Sequence, residues 1–173
     1  MKKFLFSLSA VSILLFTSCG SKKESGGMSD AAKKNLEVVH TVVNAFETGD
    51  VSKINDLVSA DFLDHTDKGD MVGPDSLKAA VTMMHKMDST LKFNLVKELA
   101  DDEYVTAWYK LTGTSDGSMG MPKGPFEMSS IDVVKFKDGK AIEHWSFLEM
   151  ADVMKMMPPP PPPMDPTMKM EDK

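Results

Sequence analysis

The sequence predicts an α+β domain, with helices in its first half and an antiparallel sheet in its second half. Apolar residues recur at helical spacing up to residue 87, and they alternate with polar residues after residue 90. Helices followed by strands are typical of the α+β class. The 173 residues are 42% hydrophobic and 27% charged, which excludes wholesale disorder and collagen-like repeats and leaves room for one domain with short appendages.

Three helices are predicted from their end signals and their apolar stripes. Ser29 and Asp30 supply an N-cap for the first helix, and Gly49 ends it. Asp50 is positioned to cap a second helix, and the Gly-Pro-Asp sequence at residues 73–75 opens a third. The apolar stripes consist of Leu36, Val39, Val43 and Phe46, then Ile54, Leu57 and Val58, then Leu77, Val81, Met84 and Met87.

The strands are predicted from period-two patterns and turn residues. A short apolar segment bounded by turns, residues 60–65, is the first strand. Alternating runs follow at residues 91–95, 105–111, 126–136 and 141–148. An Asp-Gly pair within residues 137–140 joins the last two runs, and this pair is the one that a tight hairpin prefers.

The amino-terminal segment, residues 1–18, is predicted to be a lipoprotein signal peptide. Two lysines precede an apolar stretch that is too short to span a bilayer, and a Phe-Thr-Ser-Cys-Gly sequence follows. This ending resembles the bacterial lipobox, in which cleavage leaves Cys19 as the lipidated amino terminus. A plain secretory signal and an uncleaved anchor remain alternatives. The prediction is an exported lipoprotein, anchored to the cell envelope through Cys19 at the outer membrane and facing the periplasm or the surface.

The remaining boundaries come from composition. Residues 19–29 are rich in Gly, Ser and Lys and predict a flexible tether. Residues 30–157 form the predicted domain, and residues 158–173 form a Pro- and Met-rich disordered tail that begins with six consecutive prolines. A polyproline II spacer is the favoured interpretation of that run, and a recognition ligand for an aromatic groove is the alternative.

Several segments, in this order, resemble one known family. They read FETGD at residues 46–50, DFLDH at 61–65, GPDSL at 73–77, GT at 113–114, IDVVKF at 131–136 and DGKAIEHW at 138–145. Residues 33–152 are thereby similar to the SnoaL-like polyketide cyclases of the nuclear-transport-factor-2-like and ketosteroid-isomerase-like superfamily. The resemblance implies a cone: a strongly curved antiparallel sheet wrapped around three helices, with a pocket at the open end. It also implies a homodimer paired through the outer sheet face.

Asp132 is the first candidate for a catalytic residue. By strand alternation it shares a face with Met128, Ser130, Val134 and Phe136. Apolar neighbours desolvate a carboxylate and raise its pKa towards the range useful for proton transfer. In the cyclases that the chain resembles, the matching Asp is the general acid/base of an aldol ring closure. The structural alternative is a hydrogen bond from Asp132 to a neighbouring strand or loop.

His65 is the predicted catalytic helper, because the family motif places it near the pocket and imidazole transfers protons near neutral pH. The alternative is that its ring orders the loop that follows. The predicted pocket residues are Trp108, Tyr109, Phe126, His144 and Trp145. His144 and Trp145 are adjacent on a strand, so only one of them can face the cavity. Many cyclases carry a His after the Gly-Thr pair, whereas this chain has Ser115.

Charge and ligand chemistry limit the function classes. A net charge of −6 and the absence of arginine argue against nucleic-acid binding. The leading hypothesis is a pocket for a small, apolar or ketonic molecule, with cofactor-free and metal-free acid/base chemistry of the cyclase or isomerase type at Asp132. The alternative is a non-catalytic ligand-binding or protein-interaction module. Cu(I) binding by the Met-rich segments ranks third, because soft thioethers select that ion.

Overall fold

The computed structural model describes residues 27–117 and 121–157. Within these ranges the elements are, in order, α1 (Asp30–Thr48), α2 (Ile54–Leu57), β1 (Val58–Thr66), β2 (Gly69–Val72), α3 (Gly73–Met87), β3 (Lys92–Ala100), β4 (Tyr104–Ser115), β5 (Gly124–Lys137), β6 (Lys140–Leu148) and α4 (Met150–Met156). The predicted signal peptide with Cys19, most of the tether, and the proline-rich tail lie outside the described residues.

Helix α1 begins and ends where the sequence predicts. The Ser29 hydroxyl oxygen accepts a hydrogen bond from the Ala32 amide at 3.0 Å, which satisfies one of the free amides of the first turn. Gly49 adopts a left-handed conformation with φ of 76°, and its N–H donates to the Ala45 carbonyl oxygen at 2.7 Å. Glycine carries no Cβ penalty at this φ, so it ends the helix without strain.

The other two predicted helices form, but the second is shorter than expected. Helix α2 is a single turn that ends at Leu57, and its N-cap position is occupied by Lys53. Asp50 therefore does not cap it, and its carboxylate instead accepts from the Ser52 amide at 2.9 Å in the preceding turn. Helix α3 starts at Gly73 with a proline in its first turn, as the sequence predicts.

The six strands form one curved, mixed sheet in the order β2-β1-β6-β5-β4-β3. Four of its pairings are antiparallel, as predicted, whereas β1 and β6 pair in parallel. The predicted α+β class is confirmed, but the prediction of a wholly antiparallel sheet is wrong. Local alternation reports which residues share a face but not the direction of a distant partner strand, so the sequence carries no signal for this pairing.

Two further elements were not predicted. Strand β2 is exposed along most of its length and shows no period-two burial, so it carries no alternation signal. Helix α4 follows β6, and its Asp152 carboxylate accepts from the Ser129 amide at 3.0 Å. In the described part of the chain, no helix is long and apolar enough to cross a membrane.

The core lies between the helices and one face of the sheet, which we call the inner face. One cluster of buried residues comes from helices α1, α2 and α3 and from strands β1, β4, β5 and β6. It includes Leu36, Val81 and Phe136. A second cluster is formed by Leu91, Ala107, Tyr109 and Leu111. The opposite side of the sheet, which we call the outer face, carries exposed apolar side chains such as Trp108 and Phe147.

Candidate active site

Strand register places Asp132 in the middle of the inner face. Its partners are Ala107 on β4 and Ser146 on β6. Along β5 the neighbours on the same face are Ser130 and Val134, because side chains alternate between faces. This is the face that the sequence predicts for Asp132.

The Asp132 carboxyl group is buried and only partly satisfied. It accepts a hydrogen bond from the Ser146 side chain, while its Oδ1 has no partner. Burial raises the pKa of this carboxyl group above its usual value, and the negative charge of Asp64 adds to that rise. The positive charge of His144 and the Ser146 hydrogen bond act in the opposite direction and do not cancel the effect of burial. A carboxyl group of this kind is suited to accept and return a proton.

Tyr109 lies directly across the β4–β5 pairing from Ser130. Only 2% of each residue is exposed, and neither hydroxyl has a hydrogen-bond partner. Burial raises the pKa of the Tyr109 hydroxyl, and the negative charge of Asp132 raises it further, so the two groups are electrostatically coupled. The Phe93 ring meets the Tyr109 ring edge to face, with centroids 5.6 Å apart, and restrains its orientation.

The inner face opens to solvent beside Asp132. Ser146 and Leu148 pair with Asp132 and Ser130, so their side chains point to the inner face, yet both residues are exposed. The solvent exposure of the inner-face residues thus falls from β6 across β5 to Tyr109 on β4. Ser146 is exposed, its register partner Asp132 is intermediate in exposure, and Tyr109 is buried.

His144 also faces inward and is held by Asp64. The His144 Nδ1 atom lies 2.8 Å from the Asp64 Oδ1 atom, and the two residues are partners in the parallel β1–β6 pairing. When Nδ1 donates its proton to Asp64, Nε2 becomes the ring nitrogen that can accept a proton. Asp64 is not among the site residues that the sequence predicts. The available signal was that Phe62 is apolar and lies two residues before Asp64, on the same face.

His65 lies on the outer face, so the structure does not bring it together with Asp132. Adjacent strand residues point to opposite faces, and His65 pairs with Trp145 where Asp64 pairs with His144. The His65 and Trp145 rings stack with centroids 4.9 Å apart. His65 Nδ1 lies 2.8 Å from the Asp70 carboxylate, and Nε2 lies 3.5 Å from Glu143. The hydrogen bond to Asp70 is the main cause of the raised His65 pKa.

The predicted aromatic pocket residues divide between the two faces. Tyr109, Phe126 and His144 face inward, where Tyr109 and Phe126 pack within or against the second core cluster. Trp108 and Trp145 face outward, and Trp108 is 44% exposed. The open question between His144 and Trp145 is thereby answered in favour of His144.

Two surface clefts lie away from Asp132, which lines neither of them. A cleft of about 440 Å³ is lined by Ser59, Asp61, Leu63, Lys137, Asp138, Lys140, Ile142 and Glu143. Its mixed charges surround the irregular register between β1 and β6. A cavity of about 60 Å³ is lined by Met84, Met87, Asp88, Leu91, Ser115, Asp116, Met121 and Phe126. It adjoins the second core cluster, at the far end of the inner face from Asp132.

Two kinds of ligand could hold a metal ion: His, Cys and carboxylate side chains, and the thioethers of methionine. Within residues 27–117 and 121–157, no group of three or more His, Cys, Asp or Glu side chains is arranged to hold a metal ion. Met84, Met87 and Met121 line the same small cavity. Met154 and Met157, by contrast, are exposed near the end of the described chain. Cu(I) binding therefore stays a prediction.

The curved mixed sheet packed against helices is an α+β fold of the NTF2-like type. Within that class, the chain belongs to the SnoaL-like polyketide cyclase family, whose family model matches residues 36–157. A search of curated proteins found no match. Family membership suggests a pocket that binds a small molecule.

Solved structures share the fold at low sequence identity. A protein described as a SnoaL-like polyketide cyclase from Jannaschia sp. CCS1 is 18% identical, over 78% of this chain and 99% of that chain, with a TM-score of 0.67. Bal32a, from a soil-derived mobile gene cassette, is 20% identical over 75% and 100% of the two chains, with a TM-score of 0.61. A protein described as a polyketide cyclase from Bacillus cereus ATCC 10987 is 24% identical over 71% and 79%, with a TM-score of 0.59.

Proposed function

We propose that the inner face binds a small, largely apolar ketone and that Asp132 transfers a proton to and from the carbon next to its carbonyl group. The supporting observation is the buried Asp132 carboxyl group, whose Oδ1 has no hydrogen-bond partner and whose register partner on β6, Ser146, is exposed. Its raised pKa favours both removal and return of a proton. The reaction class is enolisation, the first step of an aldol closure or an isomerisation.

His144, not His65, is the proposed partner of Asp132. It faces the same side of the sheet, and its charge reaches the Asp132 carboxyl group. Asp64 fixes the orientation of the imidazole ring through the 2.8 Å contact at Nδ1. A proton held on His144 stabilises the ionised form of Asp132, whereas a neutral ring leaves burial as the dominant influence.

Hydrogen–deuterium exchange of 2-tetralone tests this proposal without knowledge of the natural substrate. This fused-ring ketone has acidic α-hydrogens, and NMR in D₂O follows their replacement. The full chain is expected to accelerate the exchange, and Asp132→Asn is expected to reduce that acceleration by at least ~100-fold while 2-tetralone still binds. His65→Gln on the outer face is the matched control and should keep the wild-type rate. Equal rates for wild type and Asp132→Asn would refute the catalytic role.

A non-catalytic binder is the second candidate, and Ser115 favours it. This residue stands where many cyclases carry a His, it is 5% exposed, and its hydroxyl oxygen accepts from the Gly117 amide at 3.1 Å. A serine hydroxyl carries no positive charge near neutral pH, so it polarises a ligand carbonyl group less strongly than an imidazolium does. If 2-tetralone binds to the inner face but the wild-type chain produces no exchange above buffer, this candidate is the correct one.

The location of the domain is also a proposal. The lipobox-like sequence supports a lipoprotein that is anchored to the envelope through Cys19, with the domain in the periplasm or at the surface. Membrane fractionation and mass spectrometry of the amino-terminal peptide test this proposal. An acylated Cys19 and a membrane-bound protein are expected, and Cys19→Ser should release the protein. An unmodified, soluble wild-type chain would contradict it.

A homodimer through the outer face is proposed on the basis of one apolar row. Trp108, Ile131 and Phe147 are register partners across β4, β5 and β6, and they are 44%, 44% and 58% exposed. Neighbouring apolar side chains of this size are typical of an interaction surface. A monomer in light scattering at micromolar concentration would argue against this proposal.

A further inference from the structure

The small cavity at the far end of the inner face is bordered by three methionines, which we call the cavity methionines. Met84 and Met87 lie three residues apart near the end of α3, so their side chains share one face of the helix. Met121 comes from the segment before β5 and borders the same cavity. Three thioether side chains from two distant segments therefore meet at one space.

The cavity methionines surround a space instead of filling it. Methionine is the flexible side chain that usually fills irregular gaps in a core. Here the three border a volume of about 60 Å³, which is more than the roughly 10–15 Å³ that one water-sized occupant needs. Leu91 and Phe126 add apolar walls. The cavity therefore has room for one ion beside the thioether groups.

We propose that Met84, Met87 and Met121 bind one Cu(I) ion through their thioether sulfur atoms. This binding goes beyond the function proposed for Asp132, which does not line the cavity. The step is ligation alone: three sulfur lone pairs are donated to the ion, no bond of the protein breaks, and copper keeps its oxidation state. The Met-rich composition thereby acquires a defined set of three ligands.

The type of ligand selects the ion. Thioether sulfur is soft and favours Cu(I), whereas Ca²⁺ and Mg²⁺ take oxygen ligands and Zn²⁺ takes imidazole, thiolate and carboxylate. Among the described residues that line the cavity, none is His or Cys. His85 stands between two of the cavity methionines in the sequence, but its ring lies against Gly49 at the end of α1. The ligand set at the cavity is thus thioether in character.

The charge beside the cavity favours a cation over an apolar occupant. Asp88 and Asp116 both border the cavity. The Asp88 carboxylate accepts from the Thr114 amide at 2.7 Å and from the amide and hydroxyl of Thr90 at 2.8 and 2.6 Å. Such hydrogen bonds hold the carboxylate in place and favour its ionised form. A negative charge here compensates a bound cation for part of its lost hydration, and an uncharged ligand gains nothing from it.

NMR of the methionine methyl groups reports where a soft ion binds, and Ag(I) is the redox-inert probe that replaces Cu(I). The full chain carries Cys19→Ser, so that no thiol competes, and ¹³C in its methionine methyl groups. The signals of the cavity methionines, assigned from leucine variants, should shift together and stop shifting at one equivalent of Ag(I). Those of the exposed Met83 and Met154 should stay in place. Shifts confined to methionines outside the cavity would overturn the proposal.

Competition with a colorimetric Cu(I) chelator, in ascorbate to keep copper reduced, measures the affinity of the same Cys19→Ser chain. Each of Met84→Leu, Met87→Leu and Met121→Leu should raise the Cu(I) dissociation constant by at least ~10-fold, because even indirect contributors to a metal site typically cost that much. Leucine has nearly the volume of methionine, so the fold should tolerate these changes. Met83→Leu, on the same helix and 51% exposed, is the matched control and should bind like the parent chain. If one variant does not fold, the other two and the methyl spectra of the parent carry the test.

The dependence on pH separates thioethers from other ligands. Thioether sulfur does not titrate, so the Cu(I) dissociation constant should change by less than about threefold between pH 5 and pH 7. A site built on histidine would weaken at pH 5, because its imidazole groups become protonated. A strong loss of affinity at pH 5 would therefore overturn the thioether assignment.

The methionines of the proline-rich tail are the competing location. A chain in which Met164, Met168 and Met170 are all replaced by leucine should bind Cu(I) as tightly as the parent. Loss of binding in that chain would place the ion in the tail and overturn the cavity site, and so would equal affinities of the parent and all three cavity variants. The exchange of 2-tetralone is measured without copper, so a failure here leaves the proposed function intact.

Discussion

The inner and outer faces of the same sheet carry similar polar groups, but these groups differ in their hydrogen-bond partners. On the outer face, His65 is stacked on Trp145 and lies between the carboxylates of Asp70 and Glu143. On the inner face, the imidazole of His144 is held by one carboxylate, and the nearby hydroxyl of Tyr109 has no partner. Both ring nitrogens of His65 thus lie within 3.5 Å of a carboxylate oxygen, whereas the inner-face Tyr109 hydroxyl has no hydrogen-bond partner.

This difference shows that residue type alone does not identify a site. Each face contains a histidine with acidic partners, and the family motif points to the pair at residues 64 and 65. The distinguishing property is burial combined with missing partners, because burial makes an unsatisfied polar group costly and thus worth satisfying on binding. On the inner face, Asp132, Tyr109 and Ser130 meet that criterion. The Nε2 atom of His65 is also buried without a hydrogen bond, but it lies 3.5 Å from the Glu143 carboxylate, on the face away from Asp132.

The largest expected difference between the faces concerns packing. Phe136 on the inner face is 3% exposed, and Phe147 on the outer face is 58% exposed. Phe136→Ala should lower the free energy of unfolding by ~3–5 kcal/mol, because it leaves a cavity in the core. Phe147→Ala should change it by less than about 0.5 kcal/mol in the monomer. Urea unfolding of both variants measures the effect, and comparable losses would place Phe147 inside an interface.

Two carboxyl groups, Asp132 on the inner face and Glu143 on the outer face, should also respond to pH with opposite signs. The pKa of Asp132 is raised in the folded state, so its contribution to stability is present below about pH 4 and is lost as pH rises through the folded pKa. Asp132→Asn lacks this loss. Relative to the wild type, its free energy of unfolding should therefore increase between pH 4 and pH 7, by on the order of 1 kcal/mol.

Glu143 on the outer face is the control for that experiment. The hydrogen bond from Lys135 lowers the Glu143 pKa, so this residue contributes stability above its unfolded pKa and loses it as pH falls. The free energy of unfolding of Glu143→Gln, relative to that of the wild type, should therefore be lowest at neutral pH. A parallel pH trend for the two variants would contradict the assignment of Asp132 to a desolvated inner site.

Local patterns predicted most of the fold. The caps of α1, the start of α3 and the last hairpin all form as expected, and Asp138 and Gly139 adopt the positive φ angles of 53° and 75° that a tight turn needs. These features depend on neighbouring residues, so their signals are complete in the sequence. The inward orientation of Asp132 followed in the same way from alternation along β5.

The rest of the site depends on contacts between distant segments. Asp64 and His144 meet only because β1 pairs in parallel with β6, a pairing that no local pattern specifies. Alternation from Phe62 does place Asp64 inward and His65 outward. The prediction of His65 as a site residue followed the family motif and not this alternation. The unpartnered state of Tyr109 could not be predicted, because it reflects the reach of every neighbouring side chain.

The smallest expected effect concerns the outer histidine. The hydrogen bond to Asp70 is the main cause of the raised His65 pKa, so Asp70→Asn should lower that pKa, as followed by NMR. In the wild type, the contribution of His65 to stability is present below about pH 6.5 and is lost as pH rises through its folded pKa. Because His65 faces away from Asp132, the affinity for 2-tetralone and the exchange rate should not change. A change in either would show that the two faces are coupled through the β1–β6 pairing.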